Sequence, residues 1–82
     1  MARAMTEEDQ KNLIRTTVGV YAGRASAVPR TRKDQRRRAW NNVKQAYQQQ
    51  YELGVLEWWW IASTVWKLFL VIWKELAGDE PA

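Results

Sequence analysis

The chemistry that this sequence offers most clearly is the binding of phosphate groups. Six basic residues fall within nine consecutive positions: Arg30, Arg32, Lys33, Arg36, Arg37 and Arg38. Five of the six are arginines, whose planar guanidinium matches phosphate oxygens through paired hydrogen bonds. We predict that this run contacts phosphate, either in lipid headgroups or in nucleic acid. The alternative interpretation is either a determinant of membrane topology or simply a solvated loop and first helical turn.

Catalysis is not expected, because the residue types that carry it are missing or far apart. The 82-residue chain contains no His and no Cys, which removes the commonest general base, nucleophile and transition-metal ligands. Glu57 and Lys67 share a helix face, but they are ten residues apart, which is about 15 Å along a helix. They cannot pair within one chain, although they could pair between chains. We therefore expect no enzyme, metal, cofactor or small-molecule substrate.

The N-terminal third is predicted to be a short helix followed by a loop. Residues 1–23 form an amphipathic helix in this prediction, because Thr6 can cap its free amides and the acids that follow complement the helix dipole. Pro29 disfavours helical geometry in the residue before it. Residues 24–33 are therefore predicted to be a basic loop.

The remainder is predicted to be one long helix over residues 34–77. Its first half, 34–54, is basic and Gln-rich, whereas its second half, 55–77, is rich in Trp. Gly54 is the single weak point, since Gly costs about 1 kcal/mol relative to Ala inside a helix. Residues 78–82 form an acidic tail. The predicted fold class is therefore all-α.

The Trp-rich half is predicted to be buried in a membrane or among other helices. Five of the six tryptophans of the chain lie in it: Trp58, Trp59, Trp60, Trp66 and Trp73. On a helical wheel most of its circumference is apolar. The exception is a narrow stripe that we predict faces partner proteins: Glu57, Thr64, Lys67 and Lys74. So small a chain cannot cover that apolar surface alone, so we expect other protein subunits as partners.

Three environments could bury such a helix. As a transmembrane span, Val55–Trp73 would be about 28 Å long, close to the ~30 Å hydrocarbon core. As an interfacial helix it would lie in the membrane plane with its lysines at the headgroups. As a soluble helix it would be covered by the other subunits of a capsid or filament. Lys67 weighs against an unaccompanied span, because a cation near the bilayer centre costs about 2.5–3.5 kcal/mol.

The function that accounts for most of these features is that of a small structural or accessory subunit of a multi-subunit membrane-embedded complex. The basic run precedes the span, which favours a cytoplasmic N-terminus and a C-terminus on the opposite side. The alternative is a helical virion or filament protein that coats nucleic acid through its Arg-rich turn and resides in a virus particle. Because no nucleic-acid motif is present, such binding would be sequence-independent and salt-sensitive. A weaker alternative is a small phage lysis or pore protein.

Overall fold

A computed structural model describes residues 6–25 and 29–78, nearly all of which lie in three helices. These are α1 (Glu7–Arg24), α2 (Pro29–Gln50) and α3 (Val55–Ala77). The described residues contain no strand, which confirms the predicted all-α class. Part of the predicted basic loop (26–28), the first five residues and most of the predicted acidic tail (79–82) lie outside the described residues.

The start of α1 follows the local signals in the sequence. The hydroxyl of Thr6 accepts a hydrogen bond from the backbone N–H of Asp9 at 3.1 Å. Acidic side chains occupy the whole first turn, where they complement the positive end of the helix. The helix continues to Arg24 and buries one face, formed by Ile14, Val18 and Ala22.

The basic loop assigned to residues 24–33 is wrong at residue 24, which ends α1, and from residue 29 onwards, because α2 begins earlier than predicted. Pro29 is the first residue of the helix. That position suits proline, because its fixed φ is already helical and its missing N–H would have had no partner there. The basic residues from Arg30 onwards therefore lie on defined faces of a helix.

The predicted single helix over residues 34–77 is also wrong, because the chain reverses direction between α2 and α3. Glu52 has a φ of 54°, in the left-handed region, and the N–H of Leu53 donates to the carbonyl of Gln48 at 3.0 Å. This is the Schellman arrangement that ends many helices. Gly54 is extended and immediately precedes α3.

The reversal produces a three-helix bundle in which α2 runs antiparallel to α1 and α3. The Tyr47 hydroxyl near the end of α2 donates to the Gln10 side chain near the start of α1 at 3.1 Å. Arg15 of α1 pairs with Glu75 near the end of α3 at 3.3 Å. The buried apolar side chains form one core: Ile14, Val18, Ala22, Ala39, Val43, Tyr47, Tyr51, Trp58, Val65, Phe69, Ile72 and Trp73. A straight helix would keep the α2 members of this set apart from those of α3, and folding back brings them into one core.

The buried Tyr47 makes the stability of the bundle sensitive to alkaline pH. Burial, with Tyr51 as the smaller cause, raises the pKa of the Tyr47 hydroxyl well above its ordinary value. The unfolded chain ionises this group near pH ~10, whereas the folded chain keeps it neutral. Its contribution to stability is therefore fully present below pH ~10 and is lost progressively as the pH rises further.

We expect the urea midpoint of the wild-type protein to fall as the pH is raised above ~10, and Tyr47→Phe to remove most of that fall. Near neutral pH the variant loses only the hydrogen bond to Gln10, which is worth about 1 kcal/mol. Urea titrations followed by circular dichroism at a series of alkaline pH values measure both effects. An equally steep decline in the variant would contradict this role for Tyr47.

Candidate functional site

One group of the predicted phosphate-binding residues forms a row on the outer surface of α2. Arg30, Lys33 and Arg37 are exposed and follow one another at spacings of three and four residues, which places them on one helix face. Lys44 is also exposed and continues the row two turns further along. We call Arg30, Lys33, Arg37 and Lys44 the basic stripe.

Other members of the predicted set have different surroundings. Arg32 is buried, with 6% of its surface exposed, and its guanidinium donates to the carbonyls of Ala77 at 2.9 Å and Gly78 at 2.7 Å. It therefore serves the end of α3, where the helix dipole favours a cation, rather than an outside phosphate. Arg38 is exposed, but it pairs with Asp34 one turn away at 3.3 Å.

The basic stripe concentrates positive charge that the one acid of α2, Asp34, offsets only in part. Like charges three or four residues apart on a helix repel each other, and this is the spacing of Arg30, Lys33 and Arg37. The first turn of α2 contains no acidic residue, and cations near a helix N-terminus oppose the dipole. An anion bound to the stripe would relieve both unfavourable effects.

Aromatic side chains border the basic stripe on the side of α3. A shallow groove of about 180 Å³ between the two helices is lined by Lys33, Arg36, Arg37, Trp40 and Trp66. Lys33 and Arg37 also line a neighbouring groove together with Arg30, Thr31 and Asp34. Cations beside indole rings suit both the headgroup layer of a membrane and a stacked nucleic acid.

Trp40 of α2 lines this groove, where it packs against three aromatic rings of α3. Its ring centroid lies 5.6 Å from that of Trp58, 4.9 Å from that of Trp66 and 5.4 Å from that of Phe69. Aromatic pairs at these separations add about 0.5–1.5 kcal/mol each beyond the burial of their surface. The position of Trp66, and with it the shape of the groove, therefore depends on Trp40.

The five tryptophans of α3, which we predicted to serve packing or membrane contact, fall into two classes. Trp58 and Trp73 belong to the core. Trp59 and Trp60 are 72% and 84% exposed, and Trp66, at 37%, is partly covered by Trp40. These exposed indoles make this side of α3 a candidate interaction surface.

The predicted polar stripe lies on the side of α3 that faces away from the core. Glu57, Thr64, Lys67 and Lys74 are all exposed, and Trp60 and Val71 lie among them in the same row. Among the described residues, α3 is the one helix long and apolar enough to cross a membrane, and 22% of its most apolar window is buried. Core helices of soluble proteins can meet the same criteria of length and composition.

The residues predicted from the sequence to contact phosphate did not include Lys44 or Trp40, which the structure places on this surface. The sequence pattern that indicates this surface is a spacing that places five residues on one side of a helix: Arg30, Lys33, Arg37, Trp40 and Lys44. Assigning residues 24–33 to a loop separated the first members of the row from the last.

No protein-family model, no curated protein and no solved structure matches this chain.

Proposed function

We propose that this protein is a small structural or accessory component that attaches an assembly to an anionic membrane surface. The observation that carries the proposal is the adjacency of charge and indole in one folded unit, where Lys33 and Arg37 of the basic stripe share a groove with Trp66. Basic residues near an anionic bilayer contribute about 1 kcal/mol each. Tryptophan prefers the headgroup layer, where its ring is buried and its N–H stays hydrated.

The membrane-facing surface in this proposal combines the basic stripe with the neighbouring side of α3. Trp59 lies seven residues before Trp66, so both rings project from the same side of the helix, next to α2. The rings would enter the headgroup layer while the cations contact lipid phosphates. The cytoplasmic leaflet is the anionic one, so a cytoplasmic location of the bundle follows.

Transmembrane insertion of α3 is the second arrangement that its length and composition support. Insertion would require the bundle to open, because α3 would have to leave Trp40 and lose the hydrogen bonds from Arg32. Lys67 would then lie near the bilayer centre at a cost of about 2.5–3.5 kcal/mol unless a partner paired with it. Surface binding carries none of these costs, and we favour it for that reason.

A nucleic-acid coat protein is the rival function, and the same groove is the observation that favours it. Arginines of the stripe would contact phosphates while the exposed faces of Trp59 and Trp66 stack on bases. The affinity would then fall steeply with salt and would not depend on lipid. Vesicles and single-stranded nucleic acid offered side by side distinguish the two functions.

We expect the full-length protein to co-sediment with vesicles that contain phosphatidylserine and not with neutral phosphatidylcholine vesicles. Lys33→Gln combined with Arg37→Gln should weaken the partition coefficient roughly thirtyfold, because two contributions of about 1 kcal/mol are lost. The matched control, Lys11→Gln with Arg15→Gln, removes the same charge from two cations of α1 that are held in ion pairs away from the basic stripe. The control should weaken the partition coefficient several-fold less.

The proposal fails if the wild-type protein does not co-sediment with anionic vesicles. It also fails if both double variants lower the partition coefficient equally. Tight binding of single-stranded nucleic acid in place of vesicles would establish the rival function. Alkaline carbonate washing then separates the two membrane arrangements, because it releases a surface-bound protein and leaves a spanning one in the bilayer.

A further inference from the structure

The outer side of α3 carries a seven-residue repeat that neither the core nor the basic stripe uses. Its members alternate at spacings of three and four residues: Glu57, Trp60, Thr64, Lys67, Val71 and Lys74. All six are exposed, with Trp60 at 84% and Val71 at 54%. Spacings of three and four place these residues on one face of the helix, through which a second helix can pack. We call these six residues the outer seam.

The charges of the outer seam form no ion pair with any described residue, in contrast to Glu75, which pairs with Arg15. Glu57 and Lys74 lie in the first and last turns of α3, where the helix dipole favours them, and Lys67 borders a groove that Glu7 of α1 also lines. Each charge is therefore available to an opposite charge on a partner, and the seam itself contains that complementary set.

We infer that a second copy of this chain docks on the outer seam with its α3 antiparallel to the first. The seam is symmetric about the midpoint between Val65 and Trp66, so an antiparallel partner meets it in matched layers. Glu57 then faces the partner's Lys74, Trp60 faces the partner's Val71, and Thr64 faces the partner's Lys67. Each layer occurs twice because the contact is two-fold symmetric.

The charges select the antiparallel arrangement over the parallel one. In a parallel pair every seam residue would face its own counterpart, which would place Glu57 against Glu57 and each lysine against the same lysine. In the antiparallel pair the terminal layers join opposite charges, and the Thr64 hydroxyl can accept a hydrogen bond from the central Lys67. The two α3 helices would be in contact over about 34 Å, the length of 23 residues.

The two-fold symmetry also places the membrane-facing sides of both copies together. The axis lies perpendicular to both α3 helices, so a side of one copy that flanks the seam meets the same side of the other. Trp59 and Trp66, with the basic stripe beyond them, flank the seam on one side only. A dimer would therefore present two basic stripes to one surface.

The test is sedimentation velocity of the full-length protein and of charge-reversed variants. The wild type should dimerise, and Glu57→Lys or Lys74→Glu alone should weaken the dimer at least about tenfold, because each converts two attractions into repulsions. An equimolar mixture of the two variants should dimerise again, since every terminal layer of the mixed pair joins opposite charges. The double variant within one chain should also recover.

Asp34→Lys and Lys44→Glu reverse exposed charges of α2, no residue of which lines the groove beside the seam, and serve as matched controls, which should leave the dimer intact. Circular dichroism confirms that each variant is folded. The inference is overturned if the folded wild type stays monomeric throughout the micromolar range, if the controls weaken the dimer as much as the seam variants, or if the mixture does not recover. Vesicle binding is measured separately, so this inference and the proposed function can fail independently.

Discussion

Phe69→Ala is expected to destabilise this protein by about 3–5 kcal/mol, a large part of its total free energy of unfolding. Phe69 is fully buried, and its ring centroid lies 5.4 Å from those of Trp40 and Trp66 and 6.0 Å from that of Trp73. Replacing a buried Phe by Ala typically costs about 3–5 kcal/mol, because the lost burial is compounded by a cavity. A chain of 82 residues is expected to have roughly 4–12 kcal/mol of stability in total.

Urea titration followed by circular dichroism and tryptophan fluorescence measures this effect. Phe69→Leu keeps most of the volume and should retain a cooperative transition at a lower urea midpoint. Leu56→Ala, also in α3 but at a side chain 74% exposed, should shift the stability by less than about 0.5 kcal/mol. If Phe69→Ala and Leu56→Ala have the same urea midpoint, α3 does not pack in the bundle as described.

Arg32→Met is expected to destabilise the bundle by about 2–4 kcal/mol. The substitution keeps an unbranched apolar side chain but removes two charge-assisted hydrogen bonds to the carbonyls of Ala77 and Gly78. Such bonds are worth about 1.5–3 kcal/mol each when broken, and the favourable position of the cation at the end of α3 is lost as well. Part of this loss is regained, because the buried Nε of Arg32 has no hydrogen-bond partner and its removal relieves a desolvation cost of about 1–3 kcal/mol.

Arg37→Met is the matched control for Arg32→Met, because it removes the same charge from the same helix at an exposed position of the basic stripe. We expect a stability change within about 0.5 kcal/mol for Arg37→Met together with weaker vesicle binding. Arg32→Met should show the reverse pattern, in which stability falls while the folded protein still binds vesicles. Equal effects of the two variants on both measurements would refute the division of the arginine run into a structural and a binding part.

Elements governed by neighbouring residues in the chain could be predicted from the sequence. The hydroxyl of Thr6 caps α1 as expected, and α3 begins at Val55 and ends at Ala77, the bounds predicted for the Trp-rich segment. These signals are local, because a cap or a helix-ending glycine such as Gly78 acts within one turn. The all-α class follows from the same helical periodicity.

The reversal between α2 and α3 could not be predicted from local signals. The left-handed residue at the turn is Glu52, a residue that carries no strong turn preference, whereas Gly54 alone costs a continuous helix only about 1 kcal/mol. The reversal is stable because it brings Trp40 against α3 and buries Tyr47 and Tyr51. That gain depends on pairs of residues far apart in the sequence.

The arginine run shows the same division between sequence and tertiary structure. Composition alone indicated a concentration of cations suited to phosphate, because charge and side-chain chemistry belong to the residues themselves. Which cations remain available was decided by the bundle, which buries Arg32 under the end of α3 and leaves Lys33 and Arg37 beside Trp66. The physical reason is that a helix face acquires its environment from the helices packed against it, and those neighbours are chosen by burial over the whole chain.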